Sequence, residues 1–186
     1  MTRIFAIPRK MCARARRLLR REDGSATVEF AISVPILLSI FIMGMEAGVV
    51  NLRQVMLDRA LDLTIRDLRL GHLGAQPEFE DVRDRLCENA FLLPNCSNNL
   101  ALELTSVTLD NWAPPSESVA CVDRDEDIAP VNAFTQAGQL RPTLVRACMI
   151  VDLMFPTSRL GLNLATDAQG GFQMMSFSLY INEPEA

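Results

Sequence analysis

The chain has 186 residues, 49% of them apolar, and a formal net charge of −5. That length suits one folded domain plus a membrane segment. Residues 1–21 hold Arg3, Arg9, Lys10, Arg14, Arg16, Arg17, Arg20 and Arg21 and no acid, a charge of +8; residues 51–186 hold ten arginines and nineteen acids, a charge of −9. An acidic remainder argues against nucleic acid as its partner. The basic head lacks the aromatic interleaving of a nucleic-acid patch and abuts an apolar run. Basic head, apolar run and acidic remainder follow the positive-inside rule, with the N-terminus cytoplasmic and the rest translocated.

Between Ala26 and Val50 only Glu29 and Glu46 are charged, and Phe30–Met45 is uncharged. As a helix the longer stretch spans roughly 37 Å, enough for a ~30 Å hydrocarbon layer. An acid near the centre of a lipid-spanning helix costs about 2.5–3.5 kcal/mol and less near an interface, so Glu29 and Glu46 are expected near opposite interfaces. A secretory signal peptide would have a shorter apolar core and a small-x-small cleavage site, which Ala47-Gly48 supplies poorly. Pro35 removes one backbone hydrogen bond and tends to bend the helix. Gly44 and Gly48 form a small-xxx-small pair that lets two helices approach closely.

Gly24-Ser25-Ala26-Thr27-Val28-Glu29-Phe30 places a glycine, four residues, a glutamate and an aromatic residue ahead of that apolar helix and behind a basic leader. This resembles the type IV prepilin processing motif. The continuation Val28-Glu29-Phe30-Ala31-Ile32-Ser33-Val34-Pro35 resembles the pseudopilins of the tight-adherence (Tad/Flp) pilus system, the TadE-like family, over residues 24–50. The strand before Asn182-Glu183-Pro184 is similar to that family's usual ending, and the long C-terminal domain separates the chain from the very short Flp major subunits. The resemblance implies a prepilin peptidase as partner, cutting between Gly24 and Ser25 on the cytoplasmic face. Ser25 would then carry a free α-amine. Glu29 would set subunit register by pairing with the terminal ammonium of an adjacent pilin or pseudopilin subunit, since an opposite charge within ~4–6 Å relieves a carboxylate near lipid. The expected organisation is a leader over 1–24, a transmembrane helix over 25–50 and an extracytoplasmic α+β domain over 51–186. The location implied is the bacterial inner membrane, crossed once, with a periplasmic C-terminal domain.

Beyond the apolar run, Val50, Leu57, Leu61, Ile65 and Leu68 share one helical face, and Gly71 and Gly74 end the helix. A second helix is expected from Pro77, at its first position, to about Leu93, with Phe79, Val82, Leu86, Ala90 and Leu93 on one face and Pro94 as the stop. Leu100, Leu102 and Leu104 then alternate with small or polar residues, and Val107 and Leu109 continue in shifted phase. Trp112-Ala113-Pro114-Pro115 reads as a turn, Ser118–Val122 as a short strand and Val131–Ala137 as a helical turn. Val145, Ala147, Met149, Val151 and Leu153 alternate with Arg146, Cys148 and Asp152; Met175, Phe177, Leu179 and Ile181 alternate with Ser176, Ser178 and Tyr180. Three antiparallel strands against amphipathic helices give a pilin-like α+β fold, with one long N-terminal helix.

Cys87, Cys96, Cys121 and Cys148 all follow the apolar run, on the side expected to be oxidising, whereas Cys12 lies in the basic head. Four cysteines allow three pairings. Cys87 with Cys96 and Cys121 with Cys148 is preferred, because the first pair closes a short loop after a helix. No CxxC or histidine-bearing cluster suggests a metal, and no cofactor or small-molecule substrate is expected. Asp123-Arg124-Asp125-Glu126-Asp127 offers hard oxygens for calcium but lacks the glycine and distal glutamate of an EF-hand, so it reads as a solvated loop. His72 is the only histidine and is expected at the surface. No GxSxG, HExxH or phosphate loop occurs, so an enzyme is not expected. The leading function is thus assembly in a membrane. The alternative is an unprocessed single-pass anchor carrying an extracytoplasmic scaffold or ligand-binding domain.

Overall fold

The computed structural model describes residues 25–74, 77–107, 121–122, 124, 134, 141–158, 164, 167 and 169–181. In chain order the elements are α1 (Ser25–Arg69), α2 (Phe79–Asn89), α3 (Cys96–Asn99), β1 (Leu100–Ser106), β2 (Pro142–Asp152) and β3 (Gly171–Ile181). The chain divides into two units, Met1–Ile42 and Met43–Ala186. Of the first, the described part is the apolar beginning of α1. The second holds the core.

α1 ends where its glycines predict. Leu68 is in its last turn, Gly71 takes a left-handed φ of 69°, and Gly74 one of 90°. The Gly71 amide donates to the Leu68 carbonyl and the His72 amide to the Asp67 carbonyl, the paired bonds of a Schellman stop. Glycine serves there because an L side chain is strained at that φ.

α2 is shorter than the expected 77–93. Its N-cap is Glu78, so Pro77 precedes the helix instead of opening it, and the last turn closes at Ala90. The Glu78 amide donates to Asp81 Oδ2 at 3.0 Å, which satisfies one of the amides left unpaired at a helix start. The expected apolar face is otherwise present: Val82, Leu86, Ala90 and Leu93 are buried.

The sheet is antiparallel, in the order β1-β2-β3. Leu102 lies opposite Ala147, which lies opposite Ser176; Leu100 lies opposite Met149, which lies opposite Met174. These side chains form the inner face. Leu57, Leu61, Ile65 and Leu68 of α1 and Val82 and Leu86 of α2 pack with them in one buried cluster. A half-apolar helix and a half-apolar sheet each leave one stripe to be covered, and each covers the other's. The result is the expected α+β fold, a long N-terminal helix on a small three-stranded antiparallel sheet.

β3 departs from simple alternation. Its inner face carries Met174, Ser176 and Tyr180, all buried, whereas Met175, Phe177, Leu179 and Ile181 point outward and are exposed. The more apolar set is therefore the outer one. Small Ser176 sits mid-strand on β3, opposite Ala147 of the central strand and on the face where the helices pack. The expected elements at 112–115 and 131–137 and the phase shift at Leu109 lie outside the described residues, except for Phe134, which forms a parallel bridge to Leu104. Of the strand expected at 118–122, Cys121 and Val122 are described and are not in a strand.

Both expected disulfides are present, Cys87–Cys96 and Cys121–Cys148. The second fixes residues 121–122 on the outer face of the sheet, against Ala101 and Cys148. On the same face Arg146 Nη2 donates to both oxygens of Glu103, at 2.8 and 2.7 Å, across the β1–β2 register.

α1 and α2 are also joined by charge. Arg85 Nε lies 2.8 Å from Asp67 Oδ2, and His72 Nδ1 lies 3.3 Å from Asp67 Oδ1. The hydrogen bond from Arg85 holds the Asp67 carboxyl below its ordinary pKa; burial opposes this and His72 assists it. A lowered folded-state pKa means that the stabilisation is fully present above the unfolded value of 3.8 and is lost as pH falls through the lower folded value. The stability gap between wild type and Asp67→Asn is therefore expected to be constant near neutrality and to shrink below about pH 4. Denaturant midpoints of both proteins, measured from pH 7 downward, check this.

Candidate functional site

From Ser25 to Met45 the chain makes one helix without a basic side chain, acidic only at Glu29. Glu29 is exposed, as are Val28, Phe30, Ile32, Ile36, Leu37, Ile40 and Phe41. Exposed apolar side chains around a helix are costly in water and favourable in lipid. Two hydroxyls in this stretch are satisfied internally, with Ser33 Oγ donating to the Phe30 carbonyl and Ser39 Oγ to the Ile36 carbonyl. A lipid environment requires that, because it offers no other partner. Pro35 lies inside the helix and cannot donate to the carbonyl one turn before it. A Cβ added at Gly44 or Gly48 would meet no atom of this chain, so the surface at both is open. α1 is long and apolar enough to cross a membrane and is a candidate anchor.

Glu46 ends the uncharged run, and here the structure adds what the sequence does not. The side chain is fully buried. Its Oε1 accepts from the Met154 amide at 3.1 Å and its Oε2 from the Phe155 amide at 2.8 Å. The cost of the acid, which the sequence reading met by placing it at an interface, is met here by two backbone donors. Further along α1, Arg53 Nη1 donates to the Asp152 carbonyl at 2.6 Å and Gln54 Nε2 to the Met175 carbonyl at 2.9 Å. Three polar side chains of one helix stretch thus grip the end of β2, the loop after it and β3.

The expected site residues fall into separate places. Gly24 lies outside the described residues, Ser25 opens the described part of α1, and the four cysteines form two bonds in the second unit. Arg124 belongs to the charge cluster expected to be a solvated loop. Instead of standing in solvent, it lies 2.7 Å from Asp152 Oδ1 and donates to both oxygens of Asp167, at 2.8 and 3.0 Å. Burial pulls the Arg124 pKa down, but its hydrogen bonds to the two carboxylates outweigh it and the net shift is upward. Asp167 Oδ1 also accepts from the Gly171 amide at 2.6 Å, which fixes the entry to β3. A Cβ at Gly171 would collide with the Arg124 guanidinium and with Ile150 Cγ2, so any larger residue must displace them. Among the described residues, no group of three or more His, Cys, Asp or Glu side chains is arranged to hold a metal ion.

Comparison with known proteins bears on the helix. Residues 24–66 match the TadE-like protein family model. This is the family the processing motif resembles, and the match runs from Gly24 through the apolar run and the polar grip of Glu46, Arg53 and Gln54 on the sheet. No curated protein and no solved structure matches the chain. The family suggests a role associated with the Tad pilus, one of structure and assembly.

Replacing Glu46 with glutamine presents an amide NH₂ to one of the two donors. Glu46→Gln is expected to cost roughly 1–3 kcal/mol. Chemical denaturation of the detergent-solubilised full chain measures that cost, and faster hydrogen exchange at the Met154 and Phe155 amides localises it.

Proposed function

We propose that the chain is a pseudopilin-like membrane component of a Tad/Flp-type pilus assembly and secretion system, acting by assembly and not by catalysis. The observation that carries this reading is the match over residues 24–66, which includes Gly24, Ser25 and Glu29 at processing-motif spacing and a helix apolar enough to cross a membrane. A prepilin peptidase cuts between Gly24 and Ser25, removing the basic leader. The freed Ser25 amine of one subunit neutralises Glu29 of the next and sets their register. Exposure of Glu29 supports this, because its carboxylate is accessible to a neighbouring subunit. Open surface at Gly44 and Gly48 supports close helix approach. Two disulfides beyond the apolar run support an oxidising, periplasmic location for the second unit, and the basic head supports a cytoplasmic N-terminus.

Protein made beside its own peptidase is expected to begin at Ser25 by mass spectrometry, and Gly24→Ala to retain the arginine-rich leader. An intact leader on the mature wild-type protein would remove the mechanism. Glu29→Gln is expected to leave membrane insertion unchanged and to impair pilus formation, scored by the yield of sheared filaments. Unchanged yield would leave an unprocessed single-pass anchor as the better reading.

A further inference from the structure

The loop after β2 reads Leu153-Met154-Phe155-Pro156-Thr157-Ser158, without a charge. Leu153 is buried and roots the loop in the domain, whereas Met154 is 48% exposed and Pro156 is exposed. Phe155 between them is half-buried. Left in water, such a tip forgoes favourable burial. Its position suggests what covers it. The loop amides of Met154 and Phe155 are bound by Glu46, the first residue after the uncharged run Phe30–Met45. Whatever lies around the last turn of that run therefore also lies around this loop. Two turns further along α1, roughly 10 Å, Arg53 binds the end of β2. A guanidinium is favoured at headgroup depth, above an apolar contact that reaches ~5–10 Å into the interface.

We propose that Leu153–Ser158 is a lipid-contacting foot. Met154 and Phe155 enter the leaflet from which α1 emerges, and Glu46 holds them against the helix. The occupant of the loop surface is lipid, at the boundary of headgroups and acyl chains. This rests on α1 crossing the membrane as read above, but not on processing or on the pairing of Glu29. In that arrangement Glu46 is a positioning residue. It lets an acid stand at the edge of the bilayer without facing lipid, and it uses that acid to bring a second apolar segment to the surface.

Fluorescence quenching tests the foot in the full chain, reconstituted into vesicles of phosphatidylcholine and phosphatidylglycerol. Trp112→Phe removes the only native indole. In that background M154W is expected to lose most of its emission to lipids brominated near the top of the acyl chain and less to lipids brominated at mid-chain. F41W, within the apolar run, should be quenched by mid-chain bromine, and F91W, on the exposed turn after α2, by neither. Adding E46Q to M154W should weaken its quenching. If F41W is quenched while M154W behaves like F91W, the foot is overturned and the anchor stands; a neighbouring subunit covering the loop would give this result. If F41W is not quenched, anchor and foot both fall. Quenching of M154W that E46Q leaves unchanged would remove Glu46 as the group that holds the loop.

Discussion

A buried acid with two amide donors is the constraint on which the second unit depends. Glu46 reaches amides 108 and 109 residues away in sequence. Pulling the loop from the helix would leave a carboxyl group and two amides to be resolvated or left unpaired, which opposes partial opening at that end. Arg53 and Gln54 continue the grip along the same helix stretch, and Leu57 begins the apolar packing. Polar contacts fix where α1 meets the sheet, and apolar contacts beyond them supply most of the binding. Direction comes from hydrogen bonds because the hydrophobic effect has none.

β2 is the central strand of the sheet. It pairs with both other strands, carries Cys148 of the Cys121 bond, presents Arg146 to Glu103 and ends at Asp152, which receives Arg124 and Arg53. Its inner face meets the helices, and its outer face carries the disulfide and the Arg146–Glu103 ion pair beside buried Leu144 and Ile150. In a three-stranded sheet this compensates for a small core.

Local features were legible in the sequence, and long-range polar contacts were not. Periodicity placed the α1 face at Leu57, Leu61, Ile65 and Leu68, and the Gly71 stop needed only its own neighbours. Cysteine spacing favoured the pairing that forms, since the Cys87–Cys96 loop follows directly on a helix, but did not exclude the other two. For β3, alternation marked a strand but not its inner face: Met174 and Tyr180 compete with Met175 and Phe177, and the choice depends on a small residue, Ser176, lying opposite Ala147. Glu46 and Arg124 looked like edge and loop charges because their partners are distant in sequence. A second acid closing an apolar run is the signal that called for a partner, although the sequence did not name one.

The outward face of β3 has a material consequence. Four exposed apolar side chains, Met175, Phe177, Leu179 and Ile181, stand on an edge strand of the sheet. Such an edge is a template for pairing with another chain. Detached from its anchor and concentrated, the second unit will tend to stick to itself along this strand. The purified second unit will then have a ceiling on its usable concentration, set by colloidal behaviour and not by its folding stability.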